Sequence, residues 1–176
     1  DFSSYELGLA RHEAEKQGLA IRFMKGDARN FSFRKKFDAV INVFTSFGYG
    51  SRNEDTKIIR NVSRVLKKGG KFFIDIQSVP FLWRHFQSLK RENLGSLRIV
   101  HKRTYDFLEQ LVYDQRTMVG PKTKKVHLTH VRNYTLAELK ILLEKEKLIV
   151  TSFWGSYKGD PLGFDYERML VIAKKA

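Results

Sequence analysis

The sequence predicts an α/β domain built on a largely parallel sheet, with an inserted antiparallel β subdomain. Along residues 1–79, short apolar runs suited to strands alternate with capped amphipathic segments suited to helices. One run, Phe37 to Phe44, is almost continuously apolar, the pattern of a parallel strand covered on both faces. After Pro80 the alternation gives way to three successive strand-like stretches separated by turns. The expected organisation is a core over 1–79, an inserted antiparallel cap over 80–133, and a helix and hairpin over 134–176 that complete the core. A length of 176 residues, 42% of them hydrophobic and 30% charged, suits one globular domain with a sizeable core.

The first expected element is a helix. Ser3 and Glu6 have the spacing of a capping box, Phe2 and Leu7 that of a hydrophobic staple, and Gly18 is placed to end the helix after Leu7, Ala10 and Ala14 share a face. An acid directly before a capped helix puts Asp1 at the C-terminal tip of a strand. Ile21 to Lys25 reads as a short strand closed by Gly26-Asp27, and Phe37 to Phe44 as the buried strand, interrupted by the polar Asn42. Asn53, Glu54 and Asp55 open the next helix, Ile58, Ile59, Val62, Val65 and Leu66 form its apolar stripe, and Lys67, Lys68 and Gly69 close it. Lys71 to Ile76 is the following buried strand. In the insertion, strands are expected over Leu97–Tyr105, Gln110–Met118 and Val126–Arg132, the last two joined through Gly120-Pro121-Lys122. Thr135 and Glu138 repeat the capping-box spacing ahead of Leu139, Leu142 and Leu143, and Leu148–Trp154 and Tyr166–Ala173 make the closing pair of strands.

Composition excludes several chemistries. Without cysteine the chain has no disulfide, thiolate zinc site, iron–sulfur cluster or thiol nucleophile. No apolar run approaches the roughly eighteen residues of a membrane span, and the N-terminus lacks a secretory pattern, so no membrane partner and a cytoplasmic location are expected. The net charge of +14 attracts polyanions, RNA among them, although a lysine-rich solubility surface gives the same number. Residues 81–132 carry 11 lysines and arginines against 4 acids, a net of +7, half of the chain's excess. His127 and His130 lie three apart in an expected strand and so should face opposite ways, a poor metal pair, and no metal is expected.

Four short motifs, in their order, resemble class I S-adenosylmethionine-dependent methyltransferases of the small-molecule type. Asp1-Phe2-Ser3 is similar to the end of that family's second strand, and Gly26-Asp27-Ala28 to the turn after its third. Phe37-Asp38-Ala39-Val40 followed by Ser46-Phe47-Gly48-Tyr49 resembles the fourth strand and its exit loop. Leu66-Lys67-Lys68-Gly69-Gly70-Lys71-Phe72 resembles the turn into the fifth, with Lys68 where proline is usual. Arg132-Asn133-Tyr134-Thr135 through Arg168-Met169 resembles the closing helix and hairpin. The resemblance implies a Rossmann-like sheet of order 3-2-1-4-5-7-6, of which this chain would supply strands three to seven. The first strand and its glycine-rich loop would precede Asp1, so an N-terminal segment or a partner chain is expected to complete the sheet.

The resemblance further implies methyl transfer from S-adenosylmethionine to a small-molecule acceptor, an anionic one given the basic insertion. It assigns Asp1 to the ribose hydroxyls and Asp27 to the adenine amino group, with Phe2, Ala28, Asn42 and Phe44 beside the cofactor and Tyr49, Arg132, Tyr134 and Arg168 beside the acceptor. The residues by themselves leave alternatives open: a helix cap for Asp1, an Asx-turn for Asp27, a loop-satisfied amide for Asn42, a packing role for Tyr49 and a loop cap for Asp75. In-line transfer from an activated methyl mainly requires alignment, so no general base is assigned, although a histidine of the insertion or Tyr134 has the chemistry. RNA or protein methylation, a nicotinamide-dependent oxidoreductase and a non-catalytic nucleotide-binding module are the alternative functions.

Overall fold

A computed structural model describes residues 3–176. Its elements are α1 (Ser4–Lys16), β1 (Phe37–Asn42), α2 (Arg52–Val65), β2 (Leu66–Gln77), α3 (Val79–His85), β3 (Leu89–Leu94), β4 (Leu97–Asp106), β5 (Leu111–Val119), β6 (Lys124–Arg132), α4 (Leu136–Lys145), β7 (Leu148–Trp154) and β8 (Arg168–Lys175). They form two four-stranded sheets, one of order β1-β2-β8-β7 and one of order β3-β4-β5-β6.

In the first sheet β1 runs parallel to β2, whereas β8 is antiparallel to both β2 and β7. The chain therefore enters β7 at the edge and returns through β8 into the slot beside β2. Phe72, Ile74 and Ile76 of β2 and Met169, Val171 and Ala173 of β8 join Ile59 and Val62 of α2 and Leu139 and Leu143 of α4 in one buried core. The cap of helix α2 lies two residues earlier than expected, at Ser51 rather than Asn53. Ser51 accepts from the Glu54 backbone N–H and Glu54 answers at the Ser51 backbone, a complete capping box, and Thr135 with Glu138 does the same for α4.

The second sheet is a meander of hairpins. It has one strand more than the sequence analysis expected. β3 reads Leu-Lys-Arg-Glu-Asn-Leu, too polar to signal a strand, and it forms because Gly95, at φ 58°, turns it straight back onto β4.

Three other expectations are corrected. Residues 21–25 are not a strand: Ile21 is 54% exposed, and no strand among the described residues pairs with the segment. Gly69 does not close α2. The chain passes from Val65 directly into β2, and Gly69, at φ 78°, lies in the irregular stretch between the Phe37–Leu66 and Ala39–Lys71 pairings. β1 is not covered on both faces in the described residues: it pairs with β2 alone, and Ile41 is 69% exposed. Asp1 and Phe2, with the expected staple, lie outside the described residues.

Candidate cofactor and substrate site

Ligands of open α/β sheets bind beyond the carboxyl ends of the parallel strands. Here that place is the tip of β1, the loop 43–50 that follows, and the end of β2. Asn42 is the last residue of β1, and its Oδ1 is buried with no hydrogen-bond partner among the described residues. An orphaned acceptor at this position is a ready partner for a hydroxyl, amino or ammonium donor. The next residues turn sharply. Phe44 and Thr45 both adopt the left-handed region, at φ 57° and 53°, and Phe44 is left 81% exposed.

Asp75 holds that turn in place. It sits in β2, fully buried, and the Phe44 N–H donates to its Oδ2 at 3.0 Å while the Thr45 N–H donates to its backbone oxygen at 3.1 Å. The Tyr157 hydroxyl donates to Oδ2 at 2.6 Å and Arg168 Nε donates to Oδ1 at 2.6 Å. One carboxylate thus ties the β1 tip, the loop between β7 and β8, and the first residue of β8 at one end of the sheet. The bond to Asp75 raises the Tyr157 pKa above the ordinary phenol value. The sequence put Arg168 beside the acceptor and left Asp75 between a contact to substrate or water and a loop cap; in the fold the two form one ion pair. The signal for Asp75 was present, a charge inside an apolar strand.

A second buried cluster fixes the other end of the loop. Phe47 is buried against the Tyr134 ring at 5.4 Å, and the Tyr134 hydroxyl donates to Asp55 Oδ2 at 2.7 Å. Gly48, at φ 96°, accepts from the Arg132 N–H at 2.7 Å, and a Cβ on it would lie 2.4 Å from the Arg132 carbonyl oxygen, so only glycine fits. Burial pushes both Asp55 and Tyr134 above their ordinary pKa values. The Arg132 guanidinium turns to Glu109, accepted by both its backbone and its side-chain oxygens. Arg132 and Tyr134, expected beside the acceptor, are both buried and committed to these partners; they brace the loop from behind. Tyr49, on the same loop, is 53% exposed.

Asp27 lies on the neighbouring turn. Its carboxylate accepts from the Arg29 backbone N–H at 2.8 Å and from Arg29 Nε and Nη2, closing an Asx-turn, and these bonds lower its pKa to about 2. Arg29 also reaches Glu54 at 2.6 Å, which fastens the turn to the start of α2, and Asn61 donates to the Ala28 carbonyl at 3.4 Å. Asn42, Phe44 and Tyr49 thus belong to the β1 tip and its exit loop, while Asp27 and Ala28 belong to a turn fastened to α2 through Glu54 and Asn61. Asp27 is occupied by Arg29, whereas Asn42 has a vacant acceptor.

Among the described residues no group of acidic or histidine side chains is arranged to hold a metal ion, and His127 and His130 face opposite sides of β6. No described helix is long and apolar enough to cross a membrane.

A parallel β1–β2 pair followed by an antiparallel β8 slotted ahead of β7 reproduces the 4-5-7-6 half of the sheet implied by the motifs. The chain has the class I S-adenosylmethionine-dependent methyltransferase fold. Over residues 1–70 it matches the family model described as a methyltransferase domain. The S-adenosylmethionine-dependent methyltransferase of Clostridium acetobutylicum superposes with a TM-score of 0.86 at 20% identity, over 100% of this chain and 73% of that one. The cypemycin N-terminal methyltransferase of a Streptomyces species is 26% identical over 159 residues, covering 88% of this chain and 65% of that protein. The demethylmenaquinone methyltransferase of Thermus thermophilus is 35% identical over 75 residues, covering 42% of this chain and 33% of that protein. The chain thus spans at most about two thirds of the length of these curated relatives.

Proposed function

We propose that this methyltransferase-fold chain is part of an enzyme that transfers a methyl group from S-adenosylmethionine to a small-molecule acceptor. The observation that carries the reading is the antiparallel β8 inserted between β2 and β7, since dinucleotide-binding doubly wound sheets are mostly parallel and follow the order 3-2-1-4-5-6 without such an inserted strand. The chemistry at the β1 tip agrees. Asn42 Oδ1 has an unused acceptor, and the exposed Phe44 ring beside it offers an apolar, electron-rich face to adenosine and sulfonium groups. When bound, S-adenosylmethionine supplies an activated methyl, so the residues of this chain have to orient and exclude water rather than polarise a bond.

In this reading Asn42, Phe44 and Ala28 flank the cofactor, and Asp27 takes the adenine amino group by exchanging its contact with Arg29. Asp1 and Phe2 keep the ribose role that the motif implies. Tyr49 faces the acceptor, while Arg132, Tyr134 and Arg168 shape the acceptor side through the segments they fasten. The names of the relatives, a peptide N-terminal methyltransferase and a quinone methyltransferase, support different acceptors. The basic insertion favours an anionic one.

The test is calorimetric binding of S-adenosylhomocysteine to the natural full-length protein. Asn42→Ala and Asp27→Ala should each weaken it by about 1–3 kcal/mol, roughly 5- to 150-fold. Binding of a nicotinamide dinucleotide in place of S-adenosylhomocysteine, or equal S-adenosylhomocysteine affinity in wild type and both variants, would overturn the assignment.

A further inference from the structure

The two faces of the second sheet differ in how they handle charge. Directly paired residues of antiparallel strands share a face, so the register places Glu92, His101, Arg103, Asp114 and Arg116 together on one side. There the charges are matched except at Lys125, at the end of the face. Buried His101 lies 2.8 Å from Asp114 and 3.3 Å from Glu92, Arg103 and Arg116 also pair with Asp114, and Lys90 pairs with Glu92 at 2.7 Å.

On the opposite face Arg91, Arg98, Lys102 and Lys124 are all exposed, and none makes a salt bridge among the described residues. The acid there, Asp106, stands at the far end and accepts from the Leu108 and Glu109 backbone N–H groups. In the cross-strand row next to Lys102, on the side towards Asp106, the same face exposes a ring pair, Tyr113 against His130 at 5.9 Å, and Leu128, which is 77% exposed, lies in the Lys102 row. Lys102, Thr104, Tyr113, Gln115 and Leu128 line a cavity of about 320 Å³ on it.

A track of unpaired cations leading to an aromatic platform matches the chemistry of a nucleic-acid strand: phosphates for Arg91, Arg98, Lys102 and Lys124, and an unstacked base for the Tyr113 cavity. A second copy of this chain is a poor occupant, because a two-fold stack of these faces would set four unmatched cations against four more. A flat bilayer is a poor one too, since the aromatic and polar side chains line a hollow that a lipid surface does not enter. Thr104 and Gln115, neutral groups that both donate and accept, suit a 2′-hydroxyl. We propose that this face of the second sheet binds single-stranded RNA, independently of the site at the β1 tip.

The test is fluorescence anisotropy of a labelled oligouridylate of about twenty nucleotides with the full-length protein, titrated across salt. Four phosphate contacts predict a log–log salt slope of about −2.8, roughly a 50-fold loss of affinity between 50 and 200 mM. The double variant Arg98→Ala/Lys102→Ala should halve that slope. Tyr113→Ala should weaken binding by about 5- to 150-fold at an unchanged slope. Arg116→Ala and Lys90→Ala, on the matched face, should change neither. All five positions are exposed, and unchanged thermal melts show that the variants fold. Equal affinity for the oligothymidylate of the same length, binding to vesicles of phosphatidylserine rather than to RNA, self-association through this face, or equal effects of the variants on the two faces would each overturn the proposal.

Discussion

Replacing Asp75 by asparagine should destabilise the domain more than any other single conservative change at the site. The carboxylate is fully buried and accepts from the Phe44 N–H, the Tyr157 hydroxyl and Arg168. Asparagine keeps the shape but has one acceptor oxygen and an NH₂ group. If the oxygen serves Phe44 and Tyr157, the NH₂ faces the Arg168 guanidinium; if it serves Arg168, the NH₂ faces two donors. Either way Arg168, whose side chain is 23% exposed, keeps its charge without a counter-charge. Breaking a buried ion pair from one side costs about 3–5 kcal/mol, and the partial exposure of Arg168 points to the lower end, about 3 kcal/mol. That loss competes with a total stability of roughly 5–15 kcal/mol, so the variant folds but with a small margin. At about 2–4 °C per kcal/mol for a domain of this size, Tm should fall by about 6–12 °C, with a matching drop in the urea midpoint at unchanged slope. The loss also releases the left-handed Phe44–Thr45 turn, each residue of which costs about 1–3 kcal/mol to hold. S-adenosylhomocysteine affinity should therefore fall together with stability. A melt within 2 °C of wild type, roughly 1 kcal/mol, would refute the role given to Asp75.

Two further outcomes follow from the other charged clusters. Tyr134→Phe strips the hydroxyl that donates to buried Asp55 and should cost about 1.5–3 kcal/mol at pH 7. Because burial already raises the Asp55 pKa, the folded state takes up its proton more readily than the unfolded chain, and the ionised form is what needs the hydroxyl. The deficit should therefore shrink as pH falls through the Asp55 pKa, and urea titrations of both proteins at pH 7 and pH 4 will show a constant deficit if the reasoning is wrong. For Asp27, Arg29→Ala should move the carboxylate titration, followed by NMR, from about 2 up towards 3.8. In the wild type the Arg29 contacts favour the folded state fully above pH 3.8 and are lost as pH falls towards 2, so the variant should lack that acid-limb feature. A midpoint unmoved by the substitution would show that Arg29 does not set it.

The sequence by itself determined the local elements whose physics is local. The Thr135–Glu138 capping box starts α4 where its spacing says, the acids Glu54 and Asp55 lie in the first turn of α2 although its cap is Ser51 rather than Asn53, and the range Leu148–Trp154 is β7 as expected. Turn chemistry and hydrophobic period are written in neighbouring residues, so they can be read without knowing the fold. Asn42 was legible for the same reason, as one polar residue in an apolar run. Tertiary structure decided what depends on residues far apart in the chain. β3 is a strand because β4 pairs with it, while residues 21–25, apolar enough for a strand, have no described partner. Arg168 lies 93 positions from Asp75 and Tyr134 lies 79 from Asp55, separations at which sequence carries no pairing signal. Whether an arginine meets a ligand or a buried carboxylate is set by which strand tips the sheet order brings side by side, and that order is a property of the packed whole.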